Sequence, residues 1–251
     1  VVGLGMRTHT GVAAQMFRSL ADACINIGMI TTSEIKISAL VSRDRCDAAA
    51  LAVHAGFGLH AGHVMAPSVG LSATSTAKPR TGPDLEREVV AQLASMEDIV
   101  VSEVCLDTAQ ARVTVRNLPD IPGVAADVFS AVAEGGVMVD MIVQNVGHSR
   151  RSSLSFTVPR ADLEQCLLLL REVIERWPGA ELSFDEDMAK LSVVGIGLRT
   201  HTGVGEKMFR ALAEAAVNVQ LINTSEIRIC AVIAGEKGPA ALDRLNREFG
   251  R

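Results

Sequence analysis

Short apolar runs alternate with stretches of helical spacing along most of the chain, and the first of these sets the pattern. Val1–Met6 is apolar and predicts a strand. After the turn Arg7–Gly11, apolar residues fall at Val12, Met16, Leu20 and Ala23, with Phe17 beside them. That is one face of a helix, and Thr10 stands where an N-cap is expected. Ile25–Ile30 and Ile35–Val41 read as two strands joined through Thr32-Ser33-Glu34. Arg43–Phe57 reads as a second helix carrying Ala48, Leu51, Ala52 and Ala55 on one side. The order is β-α-β-β-α, one strand short of the βαββαβ ferredoxin-like unit.

The same alternation returns further along. Strands are predicted over Ile99–Leu106, Ala111–Arg116, Val137–Val143, Ser153–Val158 and Ala180–Phe184. Helices are predicted over Val124–Ala133 and over Ala161–Arg176, where Leu163, Cys166, Leu167 and Leu170 are periodic. Leu191–Gly250 repeats the β-α-β-β-α order of the N-terminus. Between the first two modules, residues 59–83 are rich in Gly, Ala, Ser, Thr and Pro and read as a flexible linker, with a short helix over Asp84–Ser95. The fold class is therefore α+β: repeated ferredoxin-like modules with antiparallel sheets and helices on one face. Each such module leaves a sheet face or edge bare, so neighbours are expected to pair edge to edge or face to face.

A direct comparison of the modules turns this pattern into a repeat. Residues 1–41 and 193–233 align without a gap and are identical at more than half of their positions. Residues 113–146 are a weaker third copy, in which Gly123 matches Gly11 and Phe129 matches Phe17. A chain that repeats one small unit is more often a binding or sensing assembly than a single catalytic centre.

Composition narrows the function classes. Hydrophobic residues make up 48% of the 251, enough for substantial cores, yet no apolar run approaches the ~18 residues of a membrane helix. The net charge of −5 and an aromatic content of 3% with no Tyr argue against a nucleic-acid surface. The five cysteines are odd in number, form no CxxC pair and sit mostly in apolar patterns, which suits a reducing cytoplasm. No signal peptide is visible, and a chain that starts inside a strand is expected to be a fragment.

The chemistry is concentrated in two places. One is the turn before each first helix: Arg7–Val12, Asn117–Val124 and Arg199–Val204. A Gly-bearing turn into a helix leaves backbone N–H groups free at a positive dipole end, where a carboxylate or phosphate can bind. An ordinary, locally capped turn gives the same sequence. The other is the strand–strand junction, Thr31–Ile35, Val143–Gly147 and Asn223–Ile227. Its small polar residues suit either a ligand's head group or plain hairpin chemistry.

Phosphate-loop readings fail. No Lys follows Gly11 or Gly203, and Thr8 and Thr200 stand where a dinucleotide fingerprint needs its third Gly. His60 and His63 lie in the linker without further ligands at metal spacing. His9 and His201 recur in the turns, either facing a ligand or capping the turn, and Asp185-Glu186-Asp187 reads as a solvated turn. No nucleophile–base arrangement stands out, so no catalytic residue, metal or cofactor is assigned.

The ordered set NLPDIPGV, MIVQNV, FTVPRADL and TSEIKIS resembles the regulatory ACT modules of aspartate kinases. It covers nearly everything except about 60–97. The resemblance implies a first-type ACT module over 109–187, inserted into a second-type module made of 98–108 and 188–251. It implies that 1–58 is the second member of an earlier pair, incomplete here, with 59–97 as linker.

It further implies binding of end-product amino acids, lysine or threonine, for feedback control of a kinase domain elsewhere in the parent chain. A homodimer in the cytoplasm, with no nucleic-acid or membrane partner, completes that expectation. The kinase signature itself is not in this stretch. Carried over by position, the effector residues of the inserted module are Asp120, Gly123, Val124, Ala125, Gln144 and Asn145. Those of the N-terminal module are Thr10, Gly11, Val12, Asn26, Thr32 and Ser33, and those of the last are Thr202, Gly203, Val204, Asn218, Thr224 and Ser225. The inserted module departs from the pattern at Met138, where the family has the Asn seen at 26 and 218.

Overall fold

A computed structural model describes residues 1–3, 10–33, 35–59, 101–147, 150–195, 198, 202–225 and 227–250. The linker, the predicted helix 84–95, the two linker histidines, His9, His201 and the body of the turns 7–9 and 199–201 lie outside these residues. Among the described residues, ten strands and six α-helices form two units. The first has a six-stranded antiparallel sheet in the order β2-β1-β5-β6-β4-β7. It combines β1 (Met29–Thr32) and β2 (Ile37–Leu40) of the N-terminal module with β4 (Gln110–Pro119), β5 (Ile142–Val146), β6 (Arg151–Pro159) and β7 (Glu181–Asp185). The two modules meet edge to edge where β1 runs antiparallel to β5, Thr31 opposite Val143.

Four helices cover one face of this sheet: α1 (Val12–Asp22), α2 (Cys46–Gly56), α3 (Val124–Glu134) and α4 (Leu163–Ile174). Their apolar stripes fill one shared core. Phe17 of α1, Phe129 of α3 and Phe156 of β6 stack in sequence, with ring centroids 5.4 and 5.2 Å apart. The offset, tilted geometry is the favourable one for aromatic rings. The core therefore runs unbroken across the boundary between the two modules.

The second unit is a four-stranded antiparallel sheet in the order β3-β8-β10-β9. Its strands are β3 (Val101–Asp107), β8 (Met188–Gly195), β9 (Leu221–Thr224) and β10 (Arg228–Ala234), covered by α5 (Thr202–Glu214) and α6 (Gly238–Phe249). β3 thus joins β8 across all of the intervening β4–β7 segment. The helix-free faces of the two sheets pack on one another through Met141 and Val143 against Met188, Leu221, Cys230 and Val232.

Several sequence expectations shift. Glycine, not threonine, caps the first helix: Gly11 takes the N-cap position at φ 98° with no side-chain cap, and Gly123 does the same for α3 at φ 99°. Left-handed φ values are nearly free for Gly alone. The strand expected over Val137–Val143 starts only at Ile142, and the one expected over Ile25–Ile30 starts at Met29. Ile25, Ile27 and Val137 are buried by packing rather than by strand pairing, so their apolar run outlasts the ladder. Of the strand expected over Val1–Met6, residues 1–3 are described, and Val2 forms an isolated bridge to Lys36.

Candidate functional site

The two paired modules are related by an approximate two-fold axis, and two cavities mark it. The helices α1 and α3 lie antiparallel, so the N-terminus of each meets the C-terminal half of the other. A Cβ on Gly123 would come within 3.9 Å of Ala21, and one on Gly11 within 4.0 Å of Ala133. Beside each helix start lies a cavity closed by the partner module.

The first cavity sits at the start of α3. Asp120, Gly123, Val124 and Ala125 form one wall, Gln144 another, and Asn26 with Ile27 of the N-terminal module the third. The first helical backbone bond is Asp127 N–H to Gly123 O, so the preceding N–H groups have no intrahelical partner. No side chain caps them. Opposite, Asn26 Nδ2 donates to Asp120 Oδ1 at 2.8 Å, which fixes the carboxylate at the mouth. Gln144 is buried, and its Nε2 donates to Ile27 O at 3.1 Å. Its Oε1 is buried and meets no hydrogen-bond partner among the described residues. An unsatisfied buried carbonyl oxygen costs about 1–3 kcal/mol unless something donates to it. The arrangement offers donors to a carboxylate and acceptors to an ammonium within one small space.

The second cavity is the two-fold counterpart of the first. Thr10, Gly11, Thr32 and Ser33 line it together with Val139 and Asp140 of the inserted module. It differs chemically. Thr32, at the place of Gln144, satisfies its own hydroxyl by donating to Asp140 O (3.3 Å) and accepting from Ile142 N–H (3.0 Å). Met138, at the place of Asn26, is 40% exposed and lines neither cavity.

The remaining residues picked from sequence scatter. Asn145 is exposed on β5, Val12 packs against the shared core, and Val204 is buried in the core of the last module. Thr224 and Ser225 border a cleft shared with Thr31, Thr32 and Ser33, so the Thr-Ser pairs of the two TSEI segments line one cleft. Ser225 Oγ donates to Arg228 O and accepts from Ile227 N–H, both at 3.4 Å, which is hairpin chemistry. Asn218 is exposed, whereas its repeat counterpart Asn26 reaches across to Asp120. Gly203 lies in the first turn of α5 with no atom of a described neighbour within 4 Å of its Cβ position, and the Thr202 side chain lies outside the described residues.

Ser152 is a residue that sequence patterning passes over. It is buried and lines the first cavity, but it sits in a strand run of serines with nothing to distinguish it. Among the described residues, no group of His, Cys, Asp or Glu is placed to hold a metal, and no helix is long and apolar enough to cross a membrane.

Comparison with known proteins agrees with a fold of repeated modules. The family model described as ACT domain matches residues 1–57, 113–173 and 191–249. The aspartate kinase of Stutzerimonas stutzeri is 38% identical over 155 residues, which are 62% of this chain and 38% of that protein. The crystal structure of the aspartate kinase from Synechocystis superposes with a TM-score of 0.78 at 33% identity, covering 99% of this chain and 39% of that one. The ligand-free regulatory subunit of aspartate kinase from Thermus thermophilus is 40% identical with a TM-score of 0.57, covering 59% of this chain and 98% of that one. The chain belongs to the ACT domain family, as a regulatory region of the aspartate kinase kind with repeated ACT modules. It spans about 38% of the length of the curated aspartate kinase it matches.

Proposed function

We propose that this region binds a free end-product amino acid, lysine or threonine, between its paired modules and thereby controls an aspartate kinase domain of the parent chain. The observation that carries the reading is Gln144 Oε1, buried without a partner among the described residues in a cavity that also holds Asp120 and the uncapped start of α3. The effector's carboxylate meets the N–H groups of Gly123, Val124 and Ala125, where the helix dipole favours it. Its ammonium meets Asp120 and Gln144 Oε1, charge-assisted acceptors on the opposite side. Because residues from both modules line the cavity, occupancy favours one relative orientation of the two, the differential affinity that allostery requires.

The alternative is a scaffold in which ACT pairing serves assembly without a ligand. Calorimetric titration of the chain with threonine and with lysine separates the two. Heat that disappears in Asp120→Ala and Gln144→Ala supports effector binding; no heat with either amino acid on the folded chain supports the scaffold. In the full-length enzyme, inhibition that survives Gln144→Ala would move the inhibitory site to the modules around Thr32 and Thr224.

We further propose that the last module completes itself against a second copy of the chain. In the N-terminal repeat Ile30 is 1% exposed beneath the paired module, whereas its counterpart Ile222 on β9 is 48% exposed. Phe17 stacks on Phe129, while Phe209 at the matching place is only partly covered. Unpaired sheet edges with apolar flanks favour association. Sedimentation at micromolar concentration should give a homodimer in the cytoplasmic pH range; a clean monomer would count against it.

A further inference from the structure

The seam between the two paired modules is fastened at both ends by a side chain. At the first cavity Gln144 Nε2 holds Ile27 O. At the other end Thr32 Oγ1 bridges Asp140 O and Ile142 N–H. Between them β1 and β5 share a ladder position at Thr31 and Val143. A change at Gln144 therefore has a short covalent path, through the start of β5 and Met141, to Asp140.

Asp140 is where the seam touches the second unit. Its carboxylate is bound by Lys190 Nζ of β8. The Lys190 side chain is 5% exposed and that of Asp140 16%, the most buried ion pair among the described residues. Lys190 also lies 3.4 Å from Asp107, its cross-strand neighbour on β3 within the same unit. Nearby, Asn223 Nδ2 of β9 donates to Thr32 O at 2.6 Å. The last module thus grips the paired unit at the two residues, Thr32 and Asp140, that fasten the seam.

We infer that Asp140 and Lys190 form the relay by which the state of the seam sets the position of the last module. A buried ion pair adds little net stability over an apolar contact of the same shape. What it adds is a strict demand on geometry: if Asp140 is displaced, Lys190 keeps Asp107 as a partner while the link between units is lost. That gives the element two discrete arrangements, the physical requirement for coupling between sites. The inference rests on the effector reading for its input, but not for its existence.

The test is hydrogen exchange on the whole chain, without ligand and with saturating threonine or lysine. Without ligand, amides of β9 and β10 should exchange about tenfold faster in Asp140→Asn than in wild type, as expected for local opening. Asp107→Asn, which leaves the inter-unit contact in place, should stay close to wild type. With ligand, wild type should change its exchange across β9 and β10, and Lys190→Met should bind the same ligand calorimetrically without that response.

Unchanged exchange in Asp140→Asn, equal opening in Asp107→Asn, or a response that persists in Lys190→Met would each overturn the relay. If Asp140→Asn unfolds outright, the pair Asp140→Leu with Lys190→Leu replaces the contact by an apolar one. That variant should stay docked and lose the response; a retained response overturns the relay. If wild type binds neither amino acid, the effector reading fails, and the ligand-free comparison still decides whether the link exists.

Discussion

Asn26 and Asp120 belong to different modules, and the amide of the first donates to the carboxylate of the second at 2.8 Å. The acid that would receive an effector's ammonium is therefore aimed by the neighbouring module. Asn26→Ala should weaken effector binding by about 1–2 kcal/mol, the scale of one hydrogen bond to a charged group. Asn218→Ala, at the matching but exposed place, should leave affinity unchanged in the isolated chain. Calorimetry on both variants checks the pair; equal effects would mean that Asn26 does not position Asp120.

Gln144 separates binding from folding. Gln144→Met removes the bond to Ile27 O but also removes the orphaned Oε1, two effects of similar size and opposite sign. Stability in urea should change by no more than about 1 kcal/mol. Effector affinity should fall by about 1–3 kcal/mol, because a charged donor loses its acceptor. A large loss of stability with affinity intact would make Gln144 a structural staple only.

The helix-start glycines give a contrast within the repeat. Gly11 and Gly123 hold φ at 98° and 99°, and a Cβ at either would meet only an alanine methyl at van der Waals distance, so an added methyl meets no clash. Gly11→Ala or Gly123→Ala should still cost about 1–2 kcal/mol, the conformational penalty of a left-handed L-residue. Gly203 aligns with Gly11 but lies inside α5 without a positive φ. Gly203→Ala should be neutral or stabilising by up to about 1 kcal/mol, since Ala is the better helix former. Urea unfolding of the three variants checks the order.

Much of this was legible in the sequence, because burial and repetition leave direct marks. The helices of the modules follow from periodic residues such as Met16, Leu20, Cys166 and Leu170, and the module order follows from aligned copies. Asp120, Gly123, Val124, Ala125, Gln144 and Asn26 were picked by position and come together in one cavity. What stayed hidden depends on which modules face each other. Ile27 and Val139 read as strand residues but serve as cavity walls, since apolarity reports burial and not pairing. Asp140 and Lys190 are distant in sequence and gain meaning only when the two sheets stack. Thr10 looked like a cap because its side chain suits one; the backbone instead turns through Gly11, a conformation that no side chain advertises.

The cysteines give the last prediction. Cys24 and Cys46 are exposed, whereas Cys166, on the buried face of α4, lies in the core. Burial, followed by the nearby Asp162, pushes the Cys166 thiol from 9.0 up to about 12. The thiolate is the reactive form, so Cys166 should resist alkylation at pH 8 while Cys24 and Cys46 are labelled. The same shift has a consequence for stability. Between pH 9.0 and about 12 the folded thiol keeps its proton while the unfolded one releases it. The unfolded state then binds fewer protons, and stability falls as pH rises through that window. The contribution is fully present below 9.0. Cys166→Ala should flatten the decline in urea midpoint between pH 8 and pH 10 relative to wild type, whatever its cost in packing. Labelling of Cys166 in the folded chain as fast as Cys24, or an identical pH slope in the variant, would show that its burial does not control its ionisation.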